Sequence, residues 1–232
     1  MAGRLAIIAC GGALPVILQN ANPSAMVITL EGVDSALVAR SHPHRLEEIG
    51  VLFTSMKVEK VTDVIFAGAL TRPKLNPMLF DGEMQAIAPR LMKAMGLGDD
   101  GLLRTVIEIF EEQGFNVLGV SDLMPQLVAG PDLSLGAQPS DQDEADINRA
   151  VDILRAISPL DIGQGCAVAG GQCLGIETVQ GTDALLGFVG QTPERYRTGR
   201  RGGVYVKAAK TGQDLRMDMP AIGPQTVKAV AE

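Results

Sequence analysis

The stretch Leu5-Ala-Ile-Ile-Ala-Cys-Gly-Gly-Ala-Leu-Pro15 decides the fold. Residues 5–9 form an unbroken aliphatic run, too short for a helix and suited to a strand buried on both faces. Gly11 and Gly12 end the run, and Pro15 stands where the first turn of a helix accepts proline, so a helix is expected over 14–21. A buried strand, a glycine turn and a helix make the opening unit of a parallel sheet with helices packed on it. Arg4 ahead of an apolar run also has the outline of a secretory leader, but the glycines and Pro15 interrupt it too soon, and the strand reading is preferred.

The same alternation continues through the first half. A strand is expected at 26–30, a short aliphatic segment at 51–54 before a helix at 55–61, and a strand at 64–68. Helices at 83–95 and 102–113 follow, Gly114 closing the second, and then a strand at 115–120. Periodicity fails in Gly130-Pro-Asp-Leu-Ser-Leu-Gly-Ala-Gln-Pro139, so the chain is expected to divide into domains at 1–131 and 139–232. Beyond that stretch, Ser140 is placed to cap a helix reaching residue 157, and 166–169 and 172–179 flank Gly170-Gly171 as a hairpin. A short helix from Asp183, a strand at 204–208 and a helix from Pro224 complete an α+β second half.

Composition narrows the function. A chain of 232 residues, 46% hydrophobic, can build two cores without disulfides or a structural metal, and zero Trp with two Tyr and six Phe makes those cores aliphatic. Twenty basic against 27 acidic residues leave a net charge of −7, whereas general nucleic-acid binding needs a basic excess. Cys10, Cys166 and Cys173 lack metal-type spacing and suit a reduced, cytoplasmic protein. With only His42 and His44, side by side, zinc hydrolases and Ser-His-Asp enzymes are poorly supported. No apolar run reaches the length of a membrane span.

Several loops hold candidate chemistry. Gly11, Gly12, Leu14 and Pro15 would point backbone N–H groups and a helix N-terminus at an anion above the sheet edge, and Glu31 lies where a dinucleotide fold places its ribose-binding acid. The pattern lacks the third glycine of a dinucleotide fingerprint, and its plain alternative is a turn that packs a helix on a sheet. Gly68, Thr71 and Arg72 follow another strand, where Arg72 would clamp a phosphate or sit in solvent as a loop cation. Asp99 and Asp100 precede a helix as caps or ligands, and Gln164 lies immediately before the hairpin. Thr182 and Asp183 suit the cap and first turn of a helix, and Lys207 and Lys210 would neutralise phosphate or be solvated. The segment Asp214-Leu-Arg-Met-Asp218, if extended, places Asp214, Arg216 and Asp218 on one face. Asp218, ahead of Gly223-Pro224, would hold a hard cation or orient water, or join a surface Asp–Arg pair.

Six motifs in order, GGALP (11–15), FAGALTRP (66–73), GDDGLLR (98–104), LDIGQG (160–165), QGTDALL (180–186) and GGVYVKAAKTGQDLRMDMPAIG (202–223), resemble the UDP-2,3-diacylglucosamine pyrophosphatase family of lipid A biosynthesis, of the alphaproteobacterial type unrelated to calcineurin-like enzymes. The resemblance implies an α/β chain, a Rossmann-like N-terminal domain followed by an α+β C-terminal catalytic domain with the lipid nucleotide between them. It implies water attack on the α-phosphorus, releasing UMP and 2,3-diacylglucosamine 1-phosphate. It further implies Mg²⁺, with Mn²⁺ as a substitute, a homodimer, and Asp218 as the essential aspartate and metal ligand. Peripheral contact with the inner membrane would bring the enzyme to its lipid, with Leu123, Met124 and Leu127 either lining an acyl site or filling core. Family members continue past the final helix, whereas this chain stops at Val230-Ala-Glu232, so a C-terminal element is expected to be missing. Two other readings compete: a nucleotide-binding module without turnover, and an NAD(P) oxidoreductase resting on Gly11, Gly12 and Glu31.

Overall fold

The structure, a computed structural model, describes residues 3–71, 73–96, 98–196 and 202–231. It divides into two compact units, one of residues up to Gly130 with Asp214–Asp218 added, the other of Pro131–Gln213 with the chain from Met219 onward.

In the first unit, β1 (Arg4–Ala9), α1 (Leu14–Ala21), β2 (Met26–Leu30), β3 (His42–His44), α2 (Ile49–Val58), β4 (Val61–Ala67), α3 (Gly82–Met95), α4 (Asp99–Glu112), β5 (Asn116–Leu118) and α5 (Val120–Leu123) follow one another. All pairings are parallel, in the order β3-β2-β1-β4-β5. The strand order reverses between β1 and β4, which makes the carboxyl ends of those two strands the switch point where such sheets leave a crevice.

Alternate residues of β1 face opposite sides. Ala6 and Ile8 join Leu52, Phe53 and Met56 of α2, Met84 of α3 and Ile107 and Phe110 of α4. Ile7 and Ala9 join Leu18 of α1, with Val120 and Leu123 of α5 packed alongside. Helices therefore cover both faces, which is why β2 is buried at all five positions and its sequence shows no polar alternation. The core is not wholly aliphatic as composition suggested. Phe53, Phe66, Phe110 and Phe115 converge on the α2–α4 side, with Phe66 and Phe110 edge to face at 4.9 Å.

Two local expectations change, and one strand is unforeseen. Residues 51–54 lie inside α2, because Ile49, Leu52, Phe53 and Met56 recur at helical spacing. The strand β3 is His42-Pro43-His44, short and polar and so without a hydrophobic signal. The segment Asp214–Asp218 is not extended: Leu215–Met217 is a turn.

The second unit comprises α6 (Asp141–Ile157), β6 (Gly165–Ala169), β7 (Gln172–Ile176), α7 (Gly181–Gly190), β8 (Val204–Lys207) and α8 (Pro224–Ala231). Its antiparallel sheet has the order β7-β6-β8, and α6 covers it through Ala150 and Leu154, which pack with Cys166 and Val168. Ser140 caps α6 reciprocally with Asp143. Gly170 and Gly171, at φ +57° and +78°, form the hairpin turn, and their N–H groups donate to the carboxylate of Asp146 at 2.8 and 2.7 Å. That buried carboxylate also accepts from Gln142, so its charge is met by three donors.

Candidate active site at the carboxyl edge of the parallel sheet

The loops after β1 and β4 meet at the switch point. Gly11 and Ala69 exchange both backbone hydrogen bonds, at 3.0 and 2.9 Å, and Cys10 N–H donates to Ala67 at 2.8 Å. Gly68 makes this approach feasible: at φ +93°, a Cβ there would lie 2.2 Å from the carbonyl oxygen of Gly11. Gly12, at φ +92°, turns the chain into α1, and a Cβ there would meet no atom of the described residues within 4 Å. Ala13 precedes α1 without a side-chain cap, and Leu14 and Pro15 open the first turn. Among the described residues, the N-cap of α1 thus provides no side-chain acceptor for its first-turn N–H groups, which suits an anion-binding turn. Thr71 is exposed on the loop after β4, and Arg72 lies outside the described residues. Glu31 stands just past β2, exposed and paired with Arg45 at 2.7 Å, so its charge is already engaged.

The segment that carries Asp218 packs with the first unit although it comes from a distant part of the sequence. The turn that precedes it packs where β5 ends: a Cβ on Gly119 would lie 3.1 Å from Arg216 Cα, and Met217 packs against the α2–α4 core. Arg216 Nε and Nη2 donate to both carboxylate oxygens of Asp214, while Nη1 donates to Glu111 at 2.6 Å and reaches the Val117 carbonyl at 3.5 Å. The guanidinium holds the Asp214 carboxyl below the usual carboxylate range, and the two carboxylates raise the Arg216 pKa in return. Asp218 itself is half-buried.

Asp99 and Asp100 lie in the first turn of α4, not at its cap, which is Gly98 at φ +101°. There they favour the helix dipole, and Asp100 pairs with Arg104 at 2.9 Å. Leu123 and Met124 pack against the β1–α1 core, whereas Leu127 is 46% exposed.

The remaining candidates belong to the second unit. Gln180, not Thr182, precedes α7, and Thr182 and Asp183 fall within its first turn. The Thr182 hydroxyl donates to Glu177 at 2.8 Å and accepts from Lys207 at 2.7 Å, and Lys207 is 3.4 Å from Glu177. Lys207 is thus neither a solvated lysine nor a cation lacking a counter-charge, and Lys210 is likewise paired, with Asp161. Gln164 is buried, with its carbonyl accepting from Ala208. Asp183 is exposed. Among the described residues Glu177 Oε2 is buried without a hydrogen-bond partner, and burial pushes the neighbouring Tyr205 phenol up. Tyr205, Glu111 and Gly119 were not foreseen as parts of these clusters, whereas Glu177 is legible as an acid on the expected second hairpin strand, although that strand ends at Ile176.

Among the described residues no three His, Cys, Asp or Glu side chains converge, so no metal cage of protein ligands is built. Mg²⁺ commonly takes one or two carboxylates and completes its shell with substrate phosphates and waters, and Asp218 is a donor of that class. No helix among the described residues is long and apolar enough to cross a membrane.

Family models match in two adjoining pieces: the LpxI N-terminal domain over residues 4–127 and the LpxI C-terminal domain over 132–232. The chain is also 37% identical, over 98% of its length and 84% of the relative's, to a protein of Caulobacter vibrioides named UDP-2,3-diacylglucosamine pyrophosphatase LpxI. With both domain models matched in sequence and a relative aligned almost end to end, this chain belongs to the LpxI family.

Proposed function

We propose that the protein hydrolyses UDP-2,3-diacylglucosamine to UMP and 2,3-diacylglucosamine 1-phosphate. The observation that carries this reading is the near full-length kinship with the Caulobacter pyrophosphatase. The crossing of the two glycine loops at the switch point, with the Asp218 segment packed with the same unit, supports it. Water attacks the α-phosphorus, the bond from that phosphorus to the bridging oxygen breaks, and the acylated sugar phosphate leaves. Asp218 orients the water and takes its proton. N–H groups of Gly12–Leu14 donate to phosphate oxygens, with Gly11, Pro15, Gly68 and Thr71 beside them, and Arg72, Asp99, Asp100, Gln164, Thr182, Asp183 and Lys207 are assigned to substrate contact. Asp218 would hold Mg²⁺, or Mn²⁺ in its place, together with the diphosphate, and the bound ion supplies charge neutralisation on the phosphates.

We further take the enzyme to work as a homodimer at the cytoplasmic face of the inner membrane. Leu70, Met78 and Leu79, exposed on the connection that leaves the carboxyl end of β4, support contact with a lipid at this edge. The test is UMP release from the substrate in ¹⁸O-water, with and without EDTA. The account expects the label in UMP and loss of turnover with EDTA. Label in the sugar phosphate would contradict α-attack, and tight UDP-sugar binding without product would leave only a nucleotide-binding module.

A further inference from the structure

We infer that Arg216 is a positioning residue that holds Asp218 in place, an inference that rests on the reading of Asp218 above. Asp214–Asp218 belongs to no helix or strand, yet it packs with the first unit rather than with its sequence neighbours. A segment without a backbone ladder has little stability of its own, so side chains must fix it. Arg216 does this with every arm. Its backbone N–H closes the turn on Asp214 Oδ1 at 3.0 Å, its fork grips both oxygens of that carboxylate, and Nη1 ties the turn to Glu111 on α4 and to the carbonyl of Val117 in β5.

Two neighbours complete the clamp. Met217 is packed into the α2–α4 core, and Gly119 lets the Arg216 backbone lie against the end of β5. Residues 214, 216 and 217 are thereby fixed, and Asp218 is the next residue along. A lone surface ion pair is worth little, but a planar fork shared between two carboxylates and a carbonyl specifies a geometry, which lysine cannot reproduce. Displacing a reacting group by 1 Å costs about 100-fold in rate, so holding this turn matters more to catalysis than to stability.

The experiment compares Arg216→Lys, Glu111→Gln and Gly119→Ala with wild type by saturation kinetics of UMP release and by thermal unfolding. Expected is a loss in kcat of about 10- to 100-fold for Arg216→Lys, with KM within about threefold of wild type, and a smaller loss for Gly119→Ala, whose Cβ, 3.1 Å from Arg216 Cα, asks that backbone to give by a fraction of an ångström. Glu111→Gln, which keeps shape and removes one charge, loses less. Combined with Asp218→Glu, which already displaces the carboxylate, Arg216→Lys should cost nothing further. Equal losses in both backgrounds, or losses that track the unfolding temperature across the series, would show a merely structural arginine and overturn the inference. Wild-type kcat in Arg216→Lys would overturn it too while leaving Asp218 essential. Turnover by Asp218→Ala would instead remove the reading on which it rests.

Discussion

Replacing Gly68 by alanine tests how the two glycine loops are brought together. The residue sits at φ +93°, and an added Cβ would lie 2.2 Å from the Gly11 carbonyl oxygen and 2.9 Å from the Cys10 carbonyl carbon. Both obstacles are backbone, and the Gly11 oxygen is itself held by Ala69 N–H at 2.9 Å. The conformation alone costs about 1–2 kcal/mol for a residue with a Cβ. Relieving the overlap means parting Gly11 from Ala69, which forfeits two backbone hydrogen bonds of about 0.5–1.5 kcal/mol each. The sum is about 2–5 kcal/mol, or roughly 4–20 °C in unfolding temperature for a chain of this size. Gly12→Ala is the matched control: its φ of +92° is nearly the same, but no atom of the described residues lies within 4 Å of its Cβ. It should lose only the conformational part, a shift of about 2–8 °C. Thermal unfolding of both variants, with UMP release measured alongside, separates the contributions. If Gly68→Ala is no less stable than Gly12→Ala, the loop crossing does not hold this edge together.

Asp146→Ala should destabilise the protein by about 2–4 kcal/mol, read by urea unfolding, because the Gly170 and Gly171 N–H groups lose their shared acceptor inside the second unit. Asp214, its folded pKa depressed chiefly by the hydrogen bond from Arg216, contributes stability that is present above the unfolded value and is lost as pH falls from about 4. Asp214→Asn should therefore flatten the acid limb of a stability–pH curve, and an unchanged limb would count against the pairing. A disulfide-type thiol reagent at about pH 8 should modify Cys173 rapidly and leave two thiols until unfolding. Cys10 is buried with its pKa raised, and Cys166 is pushed up to about 12 by burial and by Cys173.

Much of the first unit was legible where burial dictates residue type. The run at 5–9, the helix at 14–21 and the strand at 26–30 follow directly from aliphatic runs and glycine or proline punctuation. Legibility failed where the stabilising partner is remote. The strand β3 is held by its pairing with β2, so His42 and His44 needed no hydrophobic signature. Alternation over only five residues, 214–218, suggested a strand, but Arg216 folds back on Asp214 and anchors on Glu111, 105 residues away. For the same reason the attachment of 214–218 to the first unit could not be read locally. Thr182 has the residue type of a helix cap, yet its hydroxyl is used by Glu177, five residues back, and by Lys207 of β8, which only the folded sheet brings near.

The most direct test is turnover of UDP-2,3-diacylglucosamine by purified Asp218→Ala, with its unfolding temperature measured in parallel. UMP release should fall to the uncatalysed background while the unfolding temperature stays near that of the parent. Wild-type rates from a folded variant would mean that another group handles the attacking water, and the assignment of this carboxylate would be wrong.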